Sequence, residues 1–419
     1  MRTLTCSVLT AWAVGATACG RSELEPFSVT DHSVADARAT DSAVDSETAD
    51  AAGDSFVDEP RPDAPCRWAF APQVTYAVDD YPFGIAIGDF NGDGVSDILT
   101  VGEHVSLWIN RGDGTFGRPV ASAAGSLPSG MAVGDYDGDG SLDLAIIDDP
   151  QAKGVSKAVS VFLNRGDGKF APAAMYATDG GAYGITAGDF NGDGRLDLAL
   201  IDGDIRYVSI LINQGGGAFG PPVTYEGDPA AGYITASDFN RDGALDIAVA
   251  GSFSVSVLLN RGGGTFSPPV TYENSMACDD VGPVTAGDVN GDGYPEILRS
   301  CWQGADAVAV RLNNGDGTFG SETTYASGSW PLGLVAGDFF GSGRNDLAVA
   351  NTGNDSISVL PNAGDGTYGS QVTYAATTPQ SIAAGDLNGD RHADLATVGG
   401  SPVNVAAGGH VSVFLSICE

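Results

Sequence analysis

Positive charge is scarce in these 419 residues: 19 lysines and arginines stand against 54 aspartates and glutamates, a formal net charge of −35. A chain this acidic is repelled by phosphate backbones and anionic lipid, which argues against nucleic acid as a partner and against any membrane contact other than a covalent lipid anchor. Bases for catalysis are equally sparse. The only lysines are Lys153, Lys157 and Lys169, the only histidines His32, His104, His392 and His410, and neither HExxH nor GxSxG occurs. No catalytic residue is assigned, and the chain reads as a non-enzyme. Sixty glycines among short β-branched runs exclude a helical protein. An apolar stretch long enough to span a membrane is also lacking, since the run LTCSVLTAWAVGATA near the N-terminus is interrupted by polar and small residues.

What the chain has in quantity is one nine-residue segment. It appears as DFNGDGVSD (Asp89), DYDGDGSLD (Asp135), DFNGDGRLD (Asp189), DFNRDGALD (Asp238), DVNGDGYPE (Asp288), DFFGSGRND (Asp338) and DLNGDRHAD (Asp386). Carboxylates and amides at positions 1, 3, 5 and 9 turn hard oxygens to one side of a tight loop, and glycine at position 6 permits the turn, which points to calcium. A helical calcium hand would place its closing acid at position 12 between amphipathic helices. Here the acid is at position 9 and the flanks read IAIG and ILTV, so the loop belongs to a β-hairpin.

These loops start 46, 54, 49, 50, 50 and 48 residues apart, a period of repeat architectures. Each unit reads as four short strands, which predicts an all-β, seven-bladed propeller of four-stranded blades. The first unit begins late, with FAPQVTY (Phe70 to Tyr76) matching FSPPVTY, and the last ends early, with VSVFLSIC (Val411 to Cys418) matching VSVLLNRG. The N-terminal strand is therefore expected to complete the last blade and close the ring, putting Cys66 beside Cys418. Cys278 precedes the first strand of the fifth blade and Cys301 follows its second, so a hairpin predicts the second disulfide.

Residues 1–18 read as a signal peptide, and the ending GATAC resembles a bacterial lipoprotein signal, in which Cys19 receives lipid. Residues 19–65 carry that cysteine and an acidic linker with little that could form a core, expected to be disordered. The propeller spans 66–419. The protein is expected to be exported, as an outer-membrane or cell-surface lipoprotein or otherwise secreted, and monomeric.

The repeat units resemble FG-GAP (VCBS-type) repeats, the calcium-bearing blades of the integrin α-subunit propeller and of bacterial surface proteins. The resemblance implies that each metal is held by side chains at positions 1, 3, 5 and 9 and by the carbonyl of position 7. Carried onto this chain, the first set is Asp89, Asn91, Asp93, Val95 and Asp97, and the second Asp135, Asp137, Asp139, Ser141 and Asp143. The third is Asp189, Asn191, Asp193, Arg195 and Asp197, and the fourth Asp238, Asn240, Asp242, Ala244 and Asp246. The fifth, closed by a longer acid, is Asp288, Asn290, Asp292, Tyr294 and Glu296. A weaker site, with Arg391 where glycine is expected, is Asp386, Asn388, Asp390, His392 and Asp394, whereas Phe340 and Ser342 replace two oxygen donors in the loop at Asp338, which is expected to hold no metal.

The same resemblance implies a calcium-stabilised surface protein that displays loops to a glycan or protein ligand; the alternative is a propeller-type polysaccharide lyase or other carbohydrate-active enzyme, since some lyases carry related propellers. The ligand face is expected opposite the calcium loops, where the connecting segments hold Tyr81, Tyr183, Tyr233, Trp302 and Trp330 with acids such as Asp79 and Asp280. The RGD tripeptides at Arg111 and Arg165 recur as RGG at Arg261 and NGD at Asn314, so they read as turn chemistry.

Overall fold

A computed structural model describes residues 68–418, apart from 79–80, 124–127, 149–157, 179–181, 203–205, 229–230, 276–277, 279–281, 302–304 and 401–407. The leader with Cys19, the acidic linker, Cys66 and Trp302 lie outside the described residues.

The chain forms seven four-stranded antiparallel sheets. Blade one runs Gly84–Gly88, Asp97–Val101, His104–Trp108 and Val120–Ala123, from the innermost strand outward. The inner strands of the others are Pro128–Gly134, Ile185–Gly188, Ala231–Ser237, Val284–Gly287, Pro331–Gly337 and Pro379–Gly385. Each lies against the next and the seventh against the first, so the ring is closed. Middle strands such as Asp97–Val101 and Ala158–Phe162 are buried along their whole length, because neighbouring blades cover both faces. Outer strands such as Val223–Glu226 are exposed except at the tyrosine, which is half-buried.

The outermost strand of blade seven is Val74–Val78, paired antiparallel with Gly409–Phe414 with Tyr76 opposite Val411. This is the expected closure by the N-terminal strand. A second, two-stranded ribbon seals the same junction by pairing Trp68–Phe70 with Ser416–Cys418. Phe70 is buried and meets Tyr374 edge-on at 5.3 Å, as Phe116 meets Tyr76 and Phe266 meets Tyr225 in other blades. The N-terminus thus supplies blade seven with both its outer strand and its turn aromatic. Cys418 lies opposite Trp68 in the ribbon and is disulfide-bonded. The Cys278–Cys301 disulfide forms as the hairpin predicted, with Cα atoms 5.0 Å apart.

Candidate metal centres

Every acidic loop joins the innermost strand of a blade to the second, so all seven open at the same end of the ring. In the first, Asp89 at position 1 folds the loop around itself: its Oδ1 accepts the Gly92 and Asp93 amides at 2.7 and 3.2 Å, and its Oδ2 accepts Gly94 at 2.8 Å. Asn91 Oδ1 accepts the Asp93 amide and Asp93 Oδ1 the Val95 amide, so each donor residue also caps the turn ahead of it. Two left-handed residues make the path possible, Gly92 at φ +76° and Gly94 at φ +83°.

The closing acid does more than the motif suggested. Asp97 is fully buried; its Oδ2 accepts the amide of Phe90 at position 2, and its Oδ1 the amide of Asn110 in the turn after the third strand. The same two-amide bracket recurs at Asp143, Asp197, Asp246, Glu296, Asp346 and, with Ser416 as second donor, Asp394. Burial, opposed by those amides and reinforced by neighbouring loop carboxylates, pushes Asp97, Asp143 and Asp197 up to about 6 and Asp246 and Glu296 to about 7. Asp346 and Asp394 are raised as well, again by burial first.

The residue missed in the motif is the asparagine that follows the third strand. Asn164 Nδ2 donates to the Leu142 carbonyl in its own blade at 3.1 Å and to the Phe90 carbonyl in the preceding blade's acidic loop at 2.7 Å. Asn110, Asn213, Asn260, Asn313 and Asn362 bond the same way, each tying its turn to the loop one blade back. Its recurrence in LWIN, VFLN, ILIN and VLLN was the available signal. In blade seven the position is Ser416, whose shorter hydroxyl turns to Asp394 instead. Gly88 and Gly134 serve the same junctions: a Cβ there would stand 2.4 Å from Leu142 or Leu196 of the next blade.

The FG-GAP-like repeat description matches residues 89–146, 152–200, 189–249, 238–299 and 338–397, more than half of the chain. The protein belongs to the FG-GAP repeat family. No curated protein matches it in sequence. Among solved structures it is similar to BBS1N in complex with ARL6DN (12% identity over 84% of this chain and 98% of that one, TM-score 0.58) and to streptogramin B lyase (14%, 84% and 98%, 0.54). A lectin of Agrocybe aegerita that recognises non-reducing terminal N-acetylglucosamine is 24% identical over 75% of this chain and 81% of that chain, with a TM-score of 0.49. At these identities the likeness is one of fold.

The FG-GAP loops differ in ways that bear on metal. At Asp135, Asp137 and Asp143 one carboxylate oxygen from each lies within 4.8 Å of the others, so positions 1, 3 and 9 converge. This loop has aspartate rather than asparagine at position 3, giving it the densest negative charge. These oxygens are the donor set that suits a hard divalent cation. In the third loop Arg195 turns back onto Asp193 and supplies a local cation. In the fourth, Arg241 occupies a left-handed position (φ +57°) that is glycine in the other loops, with its guanidinium 5.2 Å from the Tyr294 ring.

Both irregular loops fall where the ring closes. Asp338 still accepts the Ser342 and Gly343 amides, so this loop keeps its turn while Phe340 packs into the core cluster that holds Phe70. Arg391 sits at φ +70°, the strain expected of a side chain where glycine belongs. Trp68 from the closing ribbon stacks on His392 with ring centroids 3.4 Å apart and also faces Gly341.

At the opposite end the expected ligand face is thinned out. Tyr233 is buried between blades, Tyr183 packs on two core clusters, and the Tyr81 hydroxyl is engaged by Gln380. Trp330 is open, at 57% exposure, and Phe253, which the motif reading passed over, is 70% exposed. In the RGD turn at Arg111, Asp113 accepts both the amide and the hydroxyl of Thr115, as the turn reading expects.

Proposed function

We propose that this protein is a calcium-stabilised, exported, non-catalytic surface binder that acts as a monomer and presents the end opposite its acidic loops to a glycan or protein ligand. The observation that carries the reading is the division of labour between the two ends. One end gathers hard oxygen donors, converged at Asp135, Asp137 and Asp143 and backed by a buried acid in every loop. The other end carries the open aromatic rings of Trp330 and Phe253. When bound, calcium would neutralise carboxylates that otherwise repel one another; the residues at positions 1, 3, 5 and 9 would hold it and the inter-blade asparagines would keep neighbouring loops in register.

Support for a binder over an enzyme comes from the dispersion of the few bases. His392 is covered by Trp68, His410 is buried against the Thr377 carbonyl, and His104 is the exposed first residue of the third strand of blade one. Support for export comes from the Cys278–Cys301 disulfide, which persists in oxidising compartments. Among the described residues no helix is long and apolar enough to cross a membrane. Isothermal calorimetry of the EDTA-treated protein with calcium, followed by glycan and protein arrays in its presence and absence, tests the reading. Saturable calcium uptake and calcium-dependent ligand capture are expected; no heat of calcium binding, or turnover of a uronic-acid polysaccharide, would sink it.

A further inference from the structure

Six non-glycine residues of the described chain have positive φ, and four of them (Asp306, Trp330, Asp355 and Thr378) cluster where blades five, six and seven meet, at the end opposite the acidic loops. They form two copies of one joint. In the first, the Trp330 amide donates to Asp306 Oδ1 at 3.1 Å and the Ser329 hydroxyl to Asp306 Oδ2 at 2.9 Å. In the second, the Thr378 amide donates to Asp355 Oδ1 at 3.0 Å. The two donors, Trp330 and Thr378, each precede the proline, Pro331 or Pro379, that opens an inner strand.

The joint needs a backbone amide in the left-handed region and nothing from the side chain. Threonine serves in one copy, and glycine would serve with no steric cost. A bulky side chain at φ +54° before a proline is a genuine outlier, and this indole is 57% exposed, so it is not held there by the core. Strain that packing does not require points to use. The loop is also fixed in advance: Ser329 donates to Asn354 Oδ1 at 3.2 Å, and the carbonyls of Ser329 and Trp330 accept the Gly353 and Thr352 amides at 2.9 and 3.0 Å.

We infer that Trp330 is the stacking platform for the ring of a neutral sugar. The inference rests on the surface-binder reading above and names its ligand class. A single apolar plane in a loop held by Asp306 and Asn354 matches a pyranose, which offers one apolar face and a rim of hydroxyls; the core of a protein interface would add further apolar side chains around such an anchor. Asn354 accepts from Ser329 and Ser356 through Oδ1, leaving its exposed Nδ2 as a donor toward such a rim. The carboxylates of Asp306 and Asp355 and the net charge of −35 disfavour uronic or sulfated sugars.

The test is affinity electrophoresis of the calcium-loaded full chain through mannan, xylan and a β-glucan, with polygalacturonate as the anionic comparator. The native protein is expected to be retarded by at least one neutral polymer and not by polygalacturonate. Trp330→Gly should weaken that retention by about tenfold, the effect of losing a hot-spot contact. It should melt no lower than the native protein, because glycine removes the strain. Trp330→Phe should retain part of the affinity. Met175→Ala, which removes an equally exposed apolar side chain from the outer strand Ala174–Ala177, should leave retention unchanged. Retention unaffected by Trp330→Gly, or a lower melting temperature for that variant, overturns the inference and leaves the binder reading standing. No retention by any neutral polymer, or capture by polygalacturonate or by protein partners alone, also overturns it; calcium uptake by the same sample then shows whether the wider reading survives.

Discussion

Ring closure through the N-terminus makes a quantitative demand on Phe70. The side chain is 6% exposed and sits 5.3 Å from the Tyr374 ring and 6.0 Å from Phe339, within a cluster that includes Ile357, Ile382, Leu395 and Phe414. Truncating a buried phenylalanine to alanine costs about 3 to 5 kcal/mol through lost burial and the cavity left behind. With about 310 described residues, each contributing about 2.1 cal/mol/K, the unfolding entropy is roughly 0.65 kcal/mol/K, so Phe70→Ala should lower the melting temperature by about 5 to 8 °C. Calorimetry at fixed calcium measures this. Phe266→Ala is the internal standard, since Phe266 is 7% exposed and meets Tyr225 at the same 5.3 Å within the unbroken part of the ring. A double-mutant cycle of Phe70 with Tyr374 should recover a coupling of about 0.5 to 1.5 kcal/mol for the edge-on pair. If Phe70→Ala moves the transition by less than about 1 °C while Phe266→Ala moves it as expected, the N-terminal segment is not seated in the last blade and the closure argument fails.

Asn213→Ala should destabilise by about 1 to 2 kcal/mol in urea unfolding, because it removes the 2.7 Å donor from the buried Tyr136 carbonyl, which keeps only the Gly217 amide at 3.1 Å, and the 3.0 Å donor from the half-buried Leu196 carbonyl; a cost within error would mean the inter-blade tie is incidental. Calcium should raise the melting temperature, each occupied site adding about 2.7 kcal/mol at a hundredfold excess over Kd. Asp93→Ala should remove part of that rise and Ser342→Ala none of it, and a transition indifferent to EDTA would remove calcium from the account. The pH dependence carries a definite sign. Burial pushes Asp97, Asp143 and Asp197 up to about 6 and Asp246 and Glu296 to about 7, above the unfolded values of 3.8 for aspartate and 4.5 for glutamate, and raises Asp346 and Asp394 too, so the metal-free fold binds more protons than the unfolded chain between those limits. In EDTA the stability is therefore fully present below about pH 4 and falls as pH rises toward 7, whereas bound calcium should suppress the fall. Melting curves from pH 4 to 7.5 with and without the ion would show it, and parallel curves would refute it.

Blade number, strand order and closure were readable in the sequence because each depends on local pattern and counting. The acidic loop marks the first hairpin of a blade, and a missing outer strand at one terminus must be matched by a spare strand at the other if no edge is to stay open. The Cys278–Cys301 bond followed from the same hairpin logic. The backbone strain expected in the Asp386 loop is present at Arg391, whose φ of +70° a side chain tolerates poorly. What adjoining blades do to one another was not readable. The amide that brackets Asp197 comes from Asn213, 16 residues on, and the carbonyl that holds Asn213 belongs to Tyr136, 77 residues back, so neither is a property of a nine-residue motif. Tyr233 and Trp330 read alike as aromatics at the entry to an inner strand; the one falls inside the strand Ala231–Ser237, 3% exposed and packed between blades, the other just before Pro331, 57% exposed on a left-handed backbone. A strand's alternation specifies which side of its own sheet a residue faces, while only the ring decides whether another blade is waiting there.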